Sequence, residues 1–101
     1  MSLRFAEAAQ QELAEASLYF ETRERGLGLR FLDAVGASLV LIEENPRAWQ
    51  AIEDSIRRCK VFGFPYGVIF TIDTEDDVVV IALAHERRQP GYWRERVKDG
   101  T

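Results

Sequence analysis

The sequence is poor in the residues that carry metal, redox and nucleophile chemistry. One cysteine and one histidine can build neither an internal disulfide framework nor a zinc site of the usual ligands. Cys59 suits a small core position in a reducing compartment. No acidic cluster has calcium-loop spacing, and there is no glycine-rich phosphate loop or serine-nucleophile elbow, so neither cofactor nor metal is expected. No stretch approaches the roughly 20 apolar residues of a membrane helix. Met1-Ser2-Leu3-Arg4-Phe5 lacks the apolar core of a signal peptide, and the expected location is the cytoplasm, away from membranes.

A surplus of basic charge is also missing. The net charge is -4; residues 1–55 hold five basic and ten acidic side chains, giving -5, and residues 56–101 hold eight and seven, giving +1. Phosphate neutralisation supplies most nonspecific nucleic-acid affinity, so a chain that wraps RNA or DNA carries a clearly basic face. Here there is a basic cluster but no basic surface, which argues against broad nucleic-acid binding. At 101 residues the chain is expected to form one domain over 1–101 with one core.

What the sequence does contain is an ordered set of amphipathic segments. Leu3 to Phe5 is a short strand candidate. Ala9, Leu13, Ala16 and Phe20 mark one face of a first helix from Ala6, with Gly26 expected to stop it as a C′ residue. A second helix is expected from about Gly28 to Glu44, burying Phe31, Val35, Leu39 and Ile42, with Leu32 widening the stripe; Gly36 and Ala37 would admit the first helix closely, in a hairpin. Asn45-Pro46 ends it, because a residue before proline is pushed out of the α region. Trp49 and Ile52 are expected to cap the core.

From Ile56 the period changes to two. Cys59 and Val61 are expected to point inward, with Ile56, Arg58, Lys60 and Phe62 outward. A second strand follows Pro65, and Asp73 to Asp77 forms a hairpin turn. Val78 to Ala84 is continuously apolar, as befits a strand covered on both faces or lying in the middle of a sheet. Pro90 is expected to open a short C-terminal helix reaching about Lys98. The fold class is therefore α+β: an antiparallel meander with an N-terminal helical hairpin on one face and a short C-terminal helix.

Directly after the long strand stands a rim cluster, His85-Glu86-Arg87-Arg88 and then Pro90-Gly91-Tyr92-Trp93. Phe64-Pro65-Tyr66, the hydrophobic strand pair, this H-x-R-R-x-P-x-Y-W run and the two upstream helices ending at Asn45-Pro46 together resemble the RelE/ParE superfamily of small bacterial toxins. The resemblance implies the layout above, with the site on the open face of the sheet. It also implies a small cognate antitoxin that folds over the helical hairpin and the sheet's rim in a hetero-oligomeric complex. An acidic helical face of Glu7, Glu12, Glu15, Glu21 and Glu24 would prefer a basic partner segment.

Two targets follow from the resemblance. RelE-type members cut ribosome-bound mRNA without a metal, using sheet-face cations and a C-terminal tyrosine; ParE-type members inhibit DNA gyrase. Arg58 and Lys60 match the two basic positions of the first meander strand and Tyr92 matches the tyrosine, with Arg87 and His85 completing the catalytic candidates. Gly67 stands where an arginine would follow the FPY-type tyrosine, and Glu86 where a further arginine is expected. These departures favour ParE-like gyrase inhibition, with mRNA cleavage as the alternative and a non-toxic interaction protein of the same fold as the third reading. The expected target- or partner-binding set is Arg58, Lys60, Arg87, Arg88, Tyr92 and Trp93, since Arg, Tyr and Trp dominate interface hot spots. His85 is read first as a rim hydrogen-bonding residue and second as a base, since histidine side chains in general serve in either role.

Overall fold

The computed structural model describes the backbone of residues 2–100 and the side chains of residues 2–97. Strand β1 (Leu3–Phe5) leads into α1 (Glu7–Arg23) and α2 (Leu27–Glu44). A 3-10 turn (Pro46–Ala48) follows, then β2 (Ala51–Glu53), β3 (Ile56–Lys60), β4 (Tyr66–Ile72), β5 (Val78–His85) and α3 (Arg94–Gly100). The five strands form one sheet in the order β1-β5-β4-β3-β2. The expected three-strand meander is β3 to β5; β2, which was not expected, extends it antiparallel to β3, and β1 adds to β5 in parallel, with Leu3 opposite Val78 and Phe5 opposite Val80. The sheet is thus mixed, and three residues could not have announced that pairing.

Both faces of the sheet are covered. Cys59, Val61, Val68, Phe70, Val78, Val80 and Leu83 pack against Ala9, Ala16, Phe31, Val35 and Ile42 of the helices. On the opposite face Ile56, Ile69, Ile81, Ala82 and Ala84 pack with Trp93, flanked by Tyr92 and Val97. The continuous apolar run of β5 is explained by this double burial. It is also explained by a bulge: Ile69 pairs with Ala82 but Phe70 with Val80, so Ile81 is an extra residue. The extra residue shifts the alternation and turns Leu83 toward the helices, while Ile81 and Ala82 both face the C-terminal segment.

Several local expectations are corrected. Gly26 does not terminate α1, whose C-cap is Glu24 in extended conformation; with φ of 84° it is the N-cap of α2. The Glu21 side chain accepts the N–H groups of Gly26 (2.9 Å) and Gly28 (3.0 Å), so a carboxylate from α1 satisfies the first donors of α2. Leu32 is exposed rather than part of the buried stripe, whereas Ser38 is buried and donates to Lys60 O at 3.1 Å. Trp49 packs against the core as expected, but Ile52 is largely exposed. Ile56 faces away from the helices as expected, but it is buried because the C-terminal segment covers that face. Pro90 lies in turns ahead of the helix, which starts at Arg94.

The close approach of the helices falls at Gly28, not at Gly36 or Ala37. A Cβ on Gly28 would stand 2.6 Å from Ser17 O, whereas one on Gly36 would meet nothing within 4 Å. The clashing atom is backbone and cannot swing away. Gly28→Ala should therefore destabilise the fold by about 1–3 kcal/mol, read as a lowered urea midpoint at unchanged slope; Gly36→Ala is expected to leave the midpoint in place or raise it slightly.

Candidate functional site

The end of β5 and the turns after it form a rim beside the β3–β4 turn. Arg58 lies opposite Ile69, and Lys60 opposite Gly67, which in turn faces Ala84 of β5. Because Gly67 has no side chain, the Arg58 guanidinium lies over it: a Cβ there would come within 2.6 Å of Arg58 Nε. The arginine thereby reaches across β4 toward Glu86. Lys60 Nζ donates to Glu86 Oε2 at 2.8 Å and to Phe64 O at 3.0 Å, and Arg58 Nη2 lies 3.8 Å from the same carboxylate oxygen. The Lys60 hydrogen bond, reinforced by the charges of Lys60 and Arg58, holds the Glu86 carboxyl below its ordinary value. The two cations expected on one sheet face are indeed together, and a carboxylate from the rim is paired with both.

His85 sits edge-on to the Tyr66 ring at 5.0 Å. Its Nδ1 accepts the Arg87 backbone N–H at 2.9 Å, and its carbonyl accepts the Arg88 N–H at 3.1 Å. One ring nitrogen is thus occupied in shaping the turn. Arg87 is exposed, with its guanidinium unpaired among the described residues.

A second constellation centres on Glu12 of α1, whose side chain is only 12 % exposed. It accepts from Tyr92 Oη (2.8 Å), from Arg96 Nη1 and Nη2 (2.8 and 3.1 Å) and from the Leu83 N–H (3.1 Å), with Arg88 Nη1 at 3.4 Å. Arg96 also donates to Ile81 O at 2.9 Å, and Tyr92 reaches Leu83 O at 3.4 Å. Beyond the reach of β1, these side chains satisfy the edge of β5 that no strand covers. The Arg88 guanidinium stacks on the Tyr92 ring, 3.6 Å from its centroid.

The four side chains expected to project together therefore part company. Arg87 is unpaired among the described residues, the Arg88 guanidinium lies over the Tyr92 ring, Tyr92 is half-buried, and Trp93 is 5 % exposed in the second core cluster. Trp93 forms part of the floor of a cavity of about 260 Å³ that also involves Ile52, Arg58, His85, Glu86 and Arg88. Glu12 was the residue missed. Its signal was available: it falls three after Ala9 and four before Ala16, on the stripe those buried alanines mark, where a carboxylate must find donors. The acidic helical face shrinks accordingly, since Glu12 turns inward, Glu21 caps α2 and Glu24 pairs with Arg30.

Burial, and then the hydrogen bond to the Glu12 carboxylate, raises the Tyr92 phenol well above its ordinary value of 10.0. The folded protein keeps this proton to higher pH than the unfolded chain does. The contribution to stability is therefore fully present below about pH 10 and is lost as pH rises from there toward the folded-state value. Alkaline titration of phenolate absorbance, wild type minus Tyr92→Phe, should show this tyrosine ionising only together with unfolding; ionisation near pH 10 in the still-folded protein would contradict the Glu12 contact.

The sheet layout is shared with solved toxins. The chain is similar to a chain of the chromosomal ParDE toxin-antitoxin system of P. aeruginosa, with a TM-score of 0.71 at 11 % identity, covering 84 % of this chain and 95 % of that one. It is also similar to the isolated E. coli RelE toxin, with a TM-score of 0.61 at 24 % identity, covering 99 % and 98 %. A sequence comparison with curated proteins finds no match. Helical hairpin, mixed sheet and rim thus define a protein with the fold of the RelE/ParE toxins. The profile of the ParE toxin of the type II toxin-antitoxin system, parDE, matches residues 3–90. The chain belongs to that ParE toxin family, and with it to the toxins of type II toxin-antitoxin systems, which implies an antitoxin as partner.

Proposed function

We propose that this toxin arrests growth by binding DNA gyrase through the sheet rim, and that it does not cleave ribosome-bound mRNA. The observation that carries the reading is the pairing of the candidate catalytic groups: Lys60 and Arg58 share the Glu86 carboxylate, and the Tyr92 phenol donates into Glu12. RNA cleavage through the 2′-hydroxyl needs a base, an acid for the leaving oxygen and cations free to meet growing phosphate charge. A phenol raised above its ordinary range and tied to a carboxylate is a poor acid and a poor base at neutral pH. Loss of one oxyanion donor typically costs about 10²- to 10³-fold, and loss of an acid or base about 10²- to 10⁴-fold. Gly67, where the resemblance expects an arginine, adds to that deficit. Family membership supports the gyrase side of the choice.

Neutralisation by the cognate antitoxin is assigned to the outer face of the helical hairpin, where Leu18, Leu29, Val40 and Leu41 are more than half exposed. Such a face suits an amphipathic partner helix, with at least about 1,200 Å² buried in total. Action on gyrase places the toxin in the cytoplasm.

Purified protein assayed in parallel should block gyrase supercoiling and leave ribosome-bound message intact; cutting without supercoiling inhibition would overturn the assignment. In cells, expression should halt growth, and the folded double variant Arg87→Ala with Arg88→Ala should relieve the arrest. Harmless expression of the wild type would favour the non-toxic interaction protein instead.

A further inference from the structure

We infer that Glu86 is the specificity-determining residue of the sheet face: its carboxylate occupies the place of a phosphate between Lys60 and Arg58 and closes that face to nucleic acid. The inference rests on the protein-target reading above and says which residue enforces it.

The geometry is built rather than incidental. Glu86 follows the last residue of β5, and its N–H donates to Pro65 O at 2.9 Å, which fixes the start of its side chain against the β3–β4 turn. Lys60 is held from the other side by Phe64 O at 3.0 Å, leaving its ammonium 2.8 Å from Glu86 Oε2. Gly67 leaves the space that lets Arg58 approach the same oxygen. A carboxylate oxygen and a phosphate oxygen make the same charge-assisted contact to such cations. Because Glu86 is tethered beside them, an incoming backbone must displace an internal competitor at high effective concentration.

All three side chains remain partly exposed, at 32 % for Arg58, 54 % for Lys60 and 41 % for Glu86. The face is therefore reachable, and its charge pattern rather than its accessibility decides the partner. Alternating cations and a carboxylate complement a protein patch of both signs, whereas a polyanion meets repulsion from Glu86.

The test is fluorescence anisotropy of a labelled single-stranded oligoribonucleotide with the full chain over a salt series. Wild type should bind weakly with shallow salt dependence. Glu86→Gln should bind at least about tenfold tighter, and its logarithmic salt slope should steepen by about 1.4, as two freed cations each engage a phosphate. Lys60→Gln in the Glu86→Gln background should return binding toward wild type. Glu75→Gln makes the same change in net charge in the exposed β4–β5 turn and should change nothing. Equal gains from Glu86→Gln and Glu75→Gln, or no gain from a Glu86→Gln variant that melts like wild type, would overturn the inference. The supercoiling assay on wild type reads the target separately: an RNA gain in Glu86→Gln with no gyrase inhibition by wild type would keep the role of Glu86 and remove gyrase.

Discussion

Phe31→Ala should lower the free energy of unfolding by about 4 kcal/mol, within the 3–5 kcal/mol typical of a buried phenylalanine truncated to alanine. Phe31 is fully buried, and its ring lies 5.0 Å from Phe20, 5.1 Å from Phe64 and 5.2 Å from Tyr66. These partners come from α1, the β3–β4 turn and the first residue of β4, so one ring joins the hairpin to the sheet. The edge and tilted contacts add to the area term. Against a total of about 5–15 kcal/mol for a domain, the loss should cut Tm by about 15–25 °C and abolish growth arrest through unfolding. Phe31→Leu, which keeps most of the volume, should cost about 1–2 kcal/mol. Urea melts of both variants provide the check; an alanine variant within about 1 kcal/mol of wild type would mean that the aromatic cluster does not join the layers.

Glu12→Ala should cost about 3 kcal/mol, more than any other change to a charged residue in the described part of the chain. Removing this carboxylate leaves Arg96, with a side chain 23 % exposed, without its bidentate partner, strands the Leu83 N–H and leaves the Tyr92 hydroxyl only the 3.4 Å contact to Leu83 O. Unpaired buried charge and unsatisfied donors are costly because water cannot replace the lost partner. Glu12→Gln keeps an acceptor oxygen but loses the charge and should fall between wild type and alanine. The damage should also be local: Arg96 and Tyr92 tie the C-terminal segment to α1, so trypsin should cut after Arg94 and Arg96 sooner in Glu12→Ala than in wild type, before global unfolding. A melt within about 0.5 kcal/mol of wild type, with unchanged proteolysis, would contradict the role assigned to Glu12.

Much of the fold was legible because hydrophobic period is a local signal. The helices, the meander and the buried β5 followed from spacing at 3.6 or 2 and from the apolar run. The elements that escaped depend on contacts distant in sequence. β1 was expected as a strand, but its parallel pairing with β5 some 75 residues away was not; β2 is three residues of weak pattern, and the Ile81 bulge shows only once β4 is laid beside β5. Gly26 reads as a stop, and its positive φ suits one; only the Arg30 N–H donating to its carbonyl at 3.2 Å shows that it begins a helix.

The site was legible as an inventory but not as a geometry. Arg58 and Lys60 were placed on one face correctly because strand alternation fixes faces. Trp93 was expected on the surface by analogy with interface anchors, yet the open sheet face of Ile56, Ile69 and Ile81 needed an apolar cover, and Trp93 supplies it. Glu12 was read as part of an acidic helical face because Arg96, the cation that meets it, lies 84 residues further along the chain, and Lys60, which meets Glu86, lies 26 residues before it. The position of Glu12 on the buried stripe was legible, but the identity of a charge partner at that separation has no sequence signature.

The central claim is that the rim and the paired sheet face contact a protein target while the helical hairpin remains free for the antitoxin. Amide hydrogen exchange of the toxin, alone and in complex with purified gyrase, measures this most directly. Slowed exchange confined to residues 58–60 and 85–93, with α1 and α2 unchanged, is the predicted result. A failure to form a complex, or protection confined to the two helices, would contradict it.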